Sequence, residues 1–278
     1  THTHTHTQEA LVCVHGFGGN ADHWRKNIGA LGKHHRVFAI DLLGYGFSDK
    51  PDPRLAPTNS IYNFEVWGAQ LVDFIQEIVQ KPSFIITNSV GGLAGLEAGI
   101  AREDLVKGVQ LMDISLRGLN FRRIPQWQHP FLRAFQRLLR ESALGAAFFS
   151  SIAKPQAVRN VLTQAYGRKE AVTDELVDAI LKPGLAPGAV DVFLDFISYS
   201  GGPLPEDLLS TISSKSVPVS ILWGEEDPWE DINLGRKFFA HLPSVKEFIP
   251  LPGVGHCPMD EAPETVNDLI LKFVNDYK

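Results

Sequence analysis

The serine at position 89 has the sequence surroundings of a catalytic nucleophile. Three apolar residues of strand character, 84–86, precede it, and glycines at 91 and 92 open a helical pattern. A sharp strand-to-helix turn of the form x-Ser-x-Gly-Gly lifts a hydroxyl clear of a sheet and points the first amides of the helix at the same place. The usual motif is G-x-S-x-G, and Thr87 fills its upstream glycine position. Taken alone, the motif fits a plain serine in a glycine-rich turn equally well.

A serine attacks a carbonyl only when a base removes its proton and a carboxylate orients that base. Asp227 follows the apolar pattern at 217–223, and His256 follows the one at 247–251. Singly, Asp227 fits a helix N-cap and His256 a turn histidine. Asp113, which ends the strand after the serine, is a competing acid. We favour Asp227 because the chain order Ser…Asp…His is that of one known arrangement of such triads.

The oxyanion formed by this attack needs two amide donors. Val90, directly after the serine, offers one, and Phe17 in the glycine loop at 15–20 (HGFGGN) offers the other. We expect His15 to hold this loop. The candidate residues for a substrate pocket are His15, Trp223, Trp229, Phe131 and Phe135.

The elements that must position these residues alternate between short apolar strands and amphipathic helices. Strand patterns occur at 11–14, 37–40, 84–86, 108–113, 217–223 and 247–251, and helical ones at about 22–31, 64–78 and from 263 onward. This alternation predicts an α/β fold with a mostly parallel sheet flanked by helices. Residues 115–216 are too long for an ordinary crossover and read as helical, so we expect a core of residues 8–114 and 217–278 with an inserted helical cap.

Composition narrows the functional classes. The 278 residues are 44% hydrophobic and 21% charged, which is typical of a globular chain with a large core. A net charge of −6 gives no reason to expect a nucleic-acid partner. No apolar run approaches the roughly 20 residues of a membrane span. With Cys13 and Cys257 as the two cysteines, a disulfide framework is not expected. Nothing indicates a cofactor or a metal.

The first seven residues alternate threonine and histidine (THTHTHT). We expect a tag or a disordered start, with a short edge strand as the alternative. The glycine loop begins only about fifteen residues into the chain. We therefore expect that earlier strands of the sheet were trimmed or that the Thr-His run stands in for one of them.

Together these segments resemble the α/β-hydrolase superfamily across nearly the whole chain. The shared motifs are residues 15–19 (HGFGG), 41–51 (DLLGYGFSDKP), Ser89, 224–227 (GEED) and 255–256 (GH). More narrowly, the chain is similar to the chlorophyll dephytylase family, chloroplast hydrolases related to pheophytinase. That likeness rests on residues 15–27 (HGFGGNADHWRKN), 88–93 (NSVGGL), 182–193 (KPGLAPGAVDVF) and 200–209 (SGGPLPEDLL).

The resemblance implies a serine carboxylester hydrolase that cleaves the phytyl ester of chlorophyll at thylakoid membranes, with Ser89, Asp227 and His256 as catalytic residues. Arginines between 117 and 140 interleave with Trp127, Phe131 and Phe135, which fits either contact with anionic lipid or a solvated helix face. The alternatives are another lipid esterase, a carbon–carbon bond hydrolase of the same fold, or a hydrolase-like receptor with little turnover.

Overall fold

The computed structural model describes residues 8–55 and 60–278. They contain one sheet of six parallel strands. The strands are β1 (Ala10–Val14), β2 (Arg36–Ile40), β3 (Ser83–Asn88), β4 (Val106–Met112), β5 (Val219–Gly224) and β6 (Val245–Leu251). Their order across the sheet is β2-β1-β3-β4-β5-β6. The predicted parallel α/β architecture is confirmed. The predictions made for residues 1–7 lie outside the described residues.

Helices cover both faces of the sheet, as parallel sheets require. They are α1 (Arg25–Leu31), α2 (Phe64–Phe74), α3 (Gly91–Ala101), α4 (His129–Glu141), α5 (Ala143–Ile152), α6 (Pro155–Ala165), α7 (Asp174–Gly184), α8 (Ala189–Ile197), α9 (Pro205–Ile212), α10 (Ile232–Phe239), α11 (Pro258–Glu261) and α12 (Pro263–Tyr277). Successive strand residues enter opposite cores. Val12 packs on the side of α2 and α3, and Cys13 packs on the side of α1 and α12.

Helices α4–α9 lie between β4 and β5 in the chain, where the sequence predicts a long helical insertion. The last of them, α9, packs against α3. Its side chains Leu209 and Ile212 are fully buried in the same core as Val109 of the sheet. The insertion is therefore anchored on the sheet layer at its C-terminal end.

The strand order brings the chemical residues together. From β1 the chain passes to β2 on one side and then returns to β3 on the other side of β1. The chain therefore leaves the neighbouring strands β1 and β3 in opposite directions, which opens a crevice at the carboxyl ends of these strands. Open α/β sheets bind ligands in such a crevice. Phe17 follows β1, Ser89 follows β3, Asp227 follows β5 and His256 follows β6, all at this edge.

A glycine in α3 accommodates the threonine that departs from the usual serine motif. The Thr87 hydroxyl donates to the Gln110 carbonyl oxygen at 3.0 Å, and its methyl group faces the helix at Gly95. A Cβ on Gly95 would lie 2.9 Å from Thr87 Cγ2, closer than such atoms normally approach. The extra bulk at position 87 thus fits because residue 95 has no side chain.

We expect Gly95→Ala to lower the free energy of unfolding by about 1–3 kcal/mol, because the new methyl group overpacks against Thr87. Adding Thr87→Ser removes the opposing methyl group, so urea unfolding of the single and double variants should show a coupling of about 1 kcal/mol or more. Gly29→Ala is the control, because it lies in an exposed part of α1 where a Cβ would contact nothing within 4 Å. Additive effects of the two changes would contradict this packing.

Candidate active site

Ser89 has the backbone of a strained turn residue. Its φ is 55°, in the left-handed region that non-glycine residues rarely occupy, at a cost of about 1–2 kcal/mol. The Ser89 amide donates to the Met112 carbonyl oxygen at 2.8 Å, which fixes the turn to β4. Helix α3 begins two residues later at Gly91, where a Cβ would lie 2.4 Å from the His15 carbonyl oxygen. The turn therefore depends on glycine at 91 and presents the Ser89 side chain to the cavity described below.

The glycine loop after β1 packs directly on the serine. A Cβ on Gly16 would lie 2.9 Å from both Ser89 Cβ and Asn88 Oδ1. His15 holds the loop from beneath, because its Nδ1 donates to the Gly16 carbonyl oxygen at 2.8 Å and its Nε2 accepts from the Leu42 amide at 3.1 Å. Burial lowers the pKa of His15, which keeps the ring neutral as these two bonds require.

The two amides expected to bind an oxyanion lie on either side of the serine. Val90 precedes the first turn of α3, and Phe17 sits in the loop that touches Ser89. Within residues 8–55 and 60–278, neither amide is used in a turn or loop hydrogen bond to the backbone. The Phe17 ring packs between Phe193 and Phe196 of α8, at centroid distances of 5.5 and 5.3 Å. The ring thus braces the loop against the inserted helices and leaves its amide for the site.

Asp227 and His256 meet as the sequence predicts. His256 Nδ1 donates to Asp227 Oδ2 at 2.7 Å, and the Asp227 side chain is fully buried. The other carboxylate oxygen accepts the amides of Trp229 and Glu230 at 2.9 and 3.2 Å. With its proton on Nδ1, the ring keeps a lone pair on Nε2, which is the form of a general base.

The backbone of His256 is hydrogen-bonded both to the end of a sheet strand and to an inserted helix. Its amide donates to the carbonyl oxygen of Ala165 at the end of α6, at 2.9 Å. Its carbonyl oxygen accepts from Nδ2 of Asn88 at 2.9 Å. Asn88 directly precedes the serine, so one side chain ties the nucleophile turn to the histidine loop. Nothing in the sequence pattern singled out this asparagine.

Ser89 and His256 line the same cavity. In the part of the chain that the structure describes, the Ser89 hydroxyl makes no hydrogen bond within 3.5 Å. In unliganded enzymes the nucleophile–base bond is often long and tightens when substrate binds. The arrangement thus places a carboxylate-oriented imidazole and the Ser89 side chain on the wall of one cavity.

Glu261 organises the histidine loop and was missed by the sequence analysis. Its carboxylate accepts the amides of Gly255 and Cys257 at 3.0 and 3.1 Å and that of Arg168 at 2.9 Å. Three amide bonds to one nearly buried carboxylate fix the loop on both sides of His256. No spacing motif marks this residue, because its partners are backbone groups.

Asp113, the competing acid, lies beside the Asp227–His256 pair, and its pKa is shifted. Its Oδ1 accepts the Gly224 amide at 2.9 Å, and the side chain is fully buried. Burial raises the pKa of Asp113 well above its usual value, and the neighbouring Asp227 raises it further. The raised pKa favours the neutral form of Asp113, whereas Asp227 is the carboxylate bonded to the histidine.

The same three side chains are the set with metal-ligand spacing within the described residues, their candidate atoms lying within 4.8 Å of one another. Nδ1 of His256 is engaged with Asp227, and the raised pKa of Asp113 favours its neutral form. The set thus offers one carboxylate to a cation and is better suited to moving a proton.

A cavity of about 890 Å³ opens above Ser89. Its walls are mostly apolar side chains of the inserted helices, of the loop after β4 and of α10, among them Leu116, Ile152, Val161, Ile180, Phe193 and Leu234. Trp229 lines it as predicted and packs edge-on against the His256 ring, with centroids 4.9 Å apart. We name this space the main cavity.

Four residues expected in the pocket lie elsewhere, and this corrects the sequence analysis. Phe131 and Phe135 are 71% and 58% exposed on α4, so they face solvent and do not line the main cavity. Trp223 is fully buried on the sheet, stacked on Phe248 at 5.7 Å, because an inward position on β5 serves the core. His15 lies beneath the glycine loop and supports it.

The protonated state of Asp113 has a measurable consequence for stability. Because its pKa is raised in the folded state, folding retains a proton that the unfolded chain loses above pH ~4, so wild-type stability falls as pH rises, by up to about 1.4 kcal/mol per unit. Asp113→Asn lacks this dependence. Urea unfolding between pH 5 and 8 should therefore show that the free energy of unfolding of the variant increases relative to that of the wild type as pH rises. A constant difference would mean that Asp113 is ionised in the folded protein.

Comparisons with known proteins agree with this geometry. Pheophytinase from the Arabidopsis thaliana chloroplast is 27% identical over 95% of this chain, and the chain spans 61% of its length. A human (lyso)-N-acylphosphatidylethanolamine lipase is 24% identical over 94% of the chain and 77% of its own. The fold of a thermophilic esterase from Thermogutta terrifontis superposes with a TM-score of 0.71 at 19% identity, covering 98% of this chain and 91% of the esterase.

The family assignment follows from a match that covers nearly the whole described chain. Residues 11–269 match the model of the alpha/beta hydrolase family, a span that includes the serine turn, Asp227 and His256. The chain therefore belongs to the alpha/beta hydrolase family.

Proposed function

We propose that this α/β hydrolase is a serine carboxylester hydrolase that removes phytol from chlorophyll. The observation that carries the proposal is the large, apolar main cavity directly above Ser89, next to the Asp227–His256 pair. An ester of a long isoprenoid alcohol with a large ring system needs such a space, because most of its surface must leave water. The similarity to pheophytinase supports the same substrate class.

The proposed reaction uses the geometry in two half-steps. Ser89 Oγ attacks the ester carbonyl carbon while Nε2 of His256 takes the hydroxyl proton, and Asp227 stabilises the resulting imidazolium. The amides of Phe17 and Val90 hold the oxyanion. The tetrahedral intermediate expels phytol, which receives the proton from His256. Water, activated by the same imidazole, then attacks the acyl-enzyme and releases chlorophyllide with the serine regenerated.

We assign the roof of the site to the inserted helices. In this proposal residues 8–114 and 217–278 are the catalytic core, and residues 115–216 are a helical cap with α9 as its anchor. The contact between Ala165 and His256 and that between Arg168 and Glu261 support a functional coupling of cap and histidine loop. A cap that binds the substrate tightly can thereby adjust the position of the base.

The alternatives are two other hydrolases that use the same catalytic residues and a receptor that has little catalytic turnover. A lipid esterase would use the same cavity, as the similarity to the human lipase suggests. A carbon–carbon bond hydrolase would use the same triad, and a receptor would bind a ligand with little turnover. Competition between chlorophyll and short-chain esters separates the first two from the proposal, because activity on short esters alone would favour them.

A membrane surface would serve such a substrate, and α4 offers one. Phe131, Phe135 and Leu138 recur at helical spacing on one face of α4 and are exposed, whereas Gln136 on another face is buried. Arg133 and Arg137 project from a different face of α4, where they contact the Phe121 ring and Glu141. No helix among the described residues is long and apolar enough to cross a bilayer. We propose that this face rests on anionic lipid at the thylakoid, in the chloroplast.

The catalytic proposal predicts that purified protein releases phytol from chlorophyll and that Ser89→Ala reduces this rate by about 10³-fold or more. Chromatographic measurement of phytol and chlorophyllide tests it. Cys13→Ser, at a buried position outside the site, is a control for handling of the variant. Phytol release that survives Ser89→Ala at an unchanged rate would end the proposal.

The membrane proposal predicts that Phe131→Ser with Phe135→Ser lowers binding to vesicles containing roughly 30% phosphatidylglycerol by about tenfold or more, because two apolar anchors are lost. Co-sedimentation measures the binding. Ile78→Ser removes an equally exposed apolar residue elsewhere and should bind as the wild type does. Unchanged binding of the double variant would remove the membrane surface from the account.

A further inference from the structure

A second, smaller cavity lies behind the glycine loop. It has a volume of about 150 Å³ and is bounded by the loop at 44–46 and by residues of α5, α7 and α8. We name it the side chamber and define it by the residues that line it and not the main cavity: Tyr45, Phe149, Ala153, Leu181, Gly184 and Val192. None of these residues takes part in the mechanism above.

The side chamber adjoins the main cavity through a shared wall. Phe17, Ile152 and Phe193 line both spaces, as do the glycines at 18 and 19. These glycines carry no side chain, and a Cβ on Gly18 would contact nothing within 4 Å. The residues next to the predicted oxyanion donor are therefore the common boundary of the two cavities, and no side chain of residues 18 and 19 occupies that boundary.

The lining of the side chamber suits hydrocarbon. Its side chains are aromatic or aliphatic apart from the Lys50 ammonium group and the Tyr45 hydroxyl. The Lys50 ammonium group donates to the carbonyl oxygens of Gly46 and Ser48 at 2.7 and 3.1 Å, so its donors are directed to backbone. A dry apolar cavity of about this volume accommodates a molecule the size of benzene, or roughly six carbon atoms.

We propose that the side chamber is a subsite for the end of a long aliphatic chain of the substrate, with the ester at Ser89 and the bulkier part in the main cavity. This inference rests on the ester hydrolysis proposed for Ser89 but on no particular pigment. The occupant is an aliphatic chain because the chamber is small, mostly apolar and shares lining residues with the cavity that contains Ser89. Chain length beyond the ester then becomes a determinant of specificity.

Gly184 is the position from which to fill the chamber. It is the last residue of α7, and a Cβ there would contact nothing within 4 Å. Because Gly184 lines the chamber, we expect a leucine at 184 to enter it and to take the space of about four chain carbons. Ala153→Leu fills the chamber from α5 and is the second variant. Gly29→Leu places the same side chain at an exposed site with open space and is the matched control.

The test is equilibrium binding of 1-alkanols from butanol to dodecanol by calorimetry, which requires no turnover. Each methylene that enters the chamber raises the affinity about fourfold. In wild type and Gly29→Leu, affinity should rise with chain length. In Gly184→Leu and Ala153→Leu it should stop rising earlier, with a loss on the order of 100-fold for the longest alcohols and no change for butanol.

Three results would overturn the inference: no alkanol binding to the wild type, equal chain-length dependence in all variants, or a uniform loss at every length. Failure of the proposed function is distinguishable from these. If alkanols bind as expected but no ester is hydrolysed, the subsite stands and the catalytic proposal falls. If hydrolysis occurs while its chain-length dependence is unchanged in Gly184→Leu, the subsite alone falls.

Discussion

The left-handed backbone at Ser89 is the constraint on which the site depends. A residue held at φ 55° turns the chain from β3 into α3 within one step, and only tight packing around it maintains that conformation. Glycines make this packing possible. The missing side chain of Gly91 leaves room for the His15 carbonyl oxygen, and that of Gly16 leaves room for the Ser89 side chain. The strained backbone of Ser89 therefore requires residues without side chains around it. Both features occur at the point where the strand order reverses.

His256, the proposed general base, is held by groups from three parts of the chain. The Asp227 carboxylate orients the His256 ring, the Asn88 side chain holds its carbonyl, and α6 accepts its amide. Glu261 adds three amide bonds around the same loop. Because two of these contacts, at Ala165 and Arg168, come from the segment between β4 and β5, the histidine loop is held by that segment as well as by the sheet.

The sequence predicts much of the fold because periodicity and strand-end motifs are local signals. Ser89, Asp227 and His256 follow three strands in a recognisable order, so their convergence is foreseeable. The pocket is different: Phe131 and Phe135 have the spacing of a helix face, but spacing does not say whether a face meets protein or solvent. The roles of Asn88 and Glu261 depend on backbone partners far away in the chain, and the neutral state of Asp113 depends on burial, so no motif marks them.

The central claim is that a strained serine and an aspartate-oriented histidine act on one carbonyl. Its most direct measurement is the rate at which an alkyl fluorophosphonate labels the intact protein, followed by peptide mass spectrometry. The account predicts one adduct, on Ser89, that forms at least about 100-fold more slowly in His256→Ala. An adduct absent from Ser89, or one that forms equally fast without the imidazole, would contradict it.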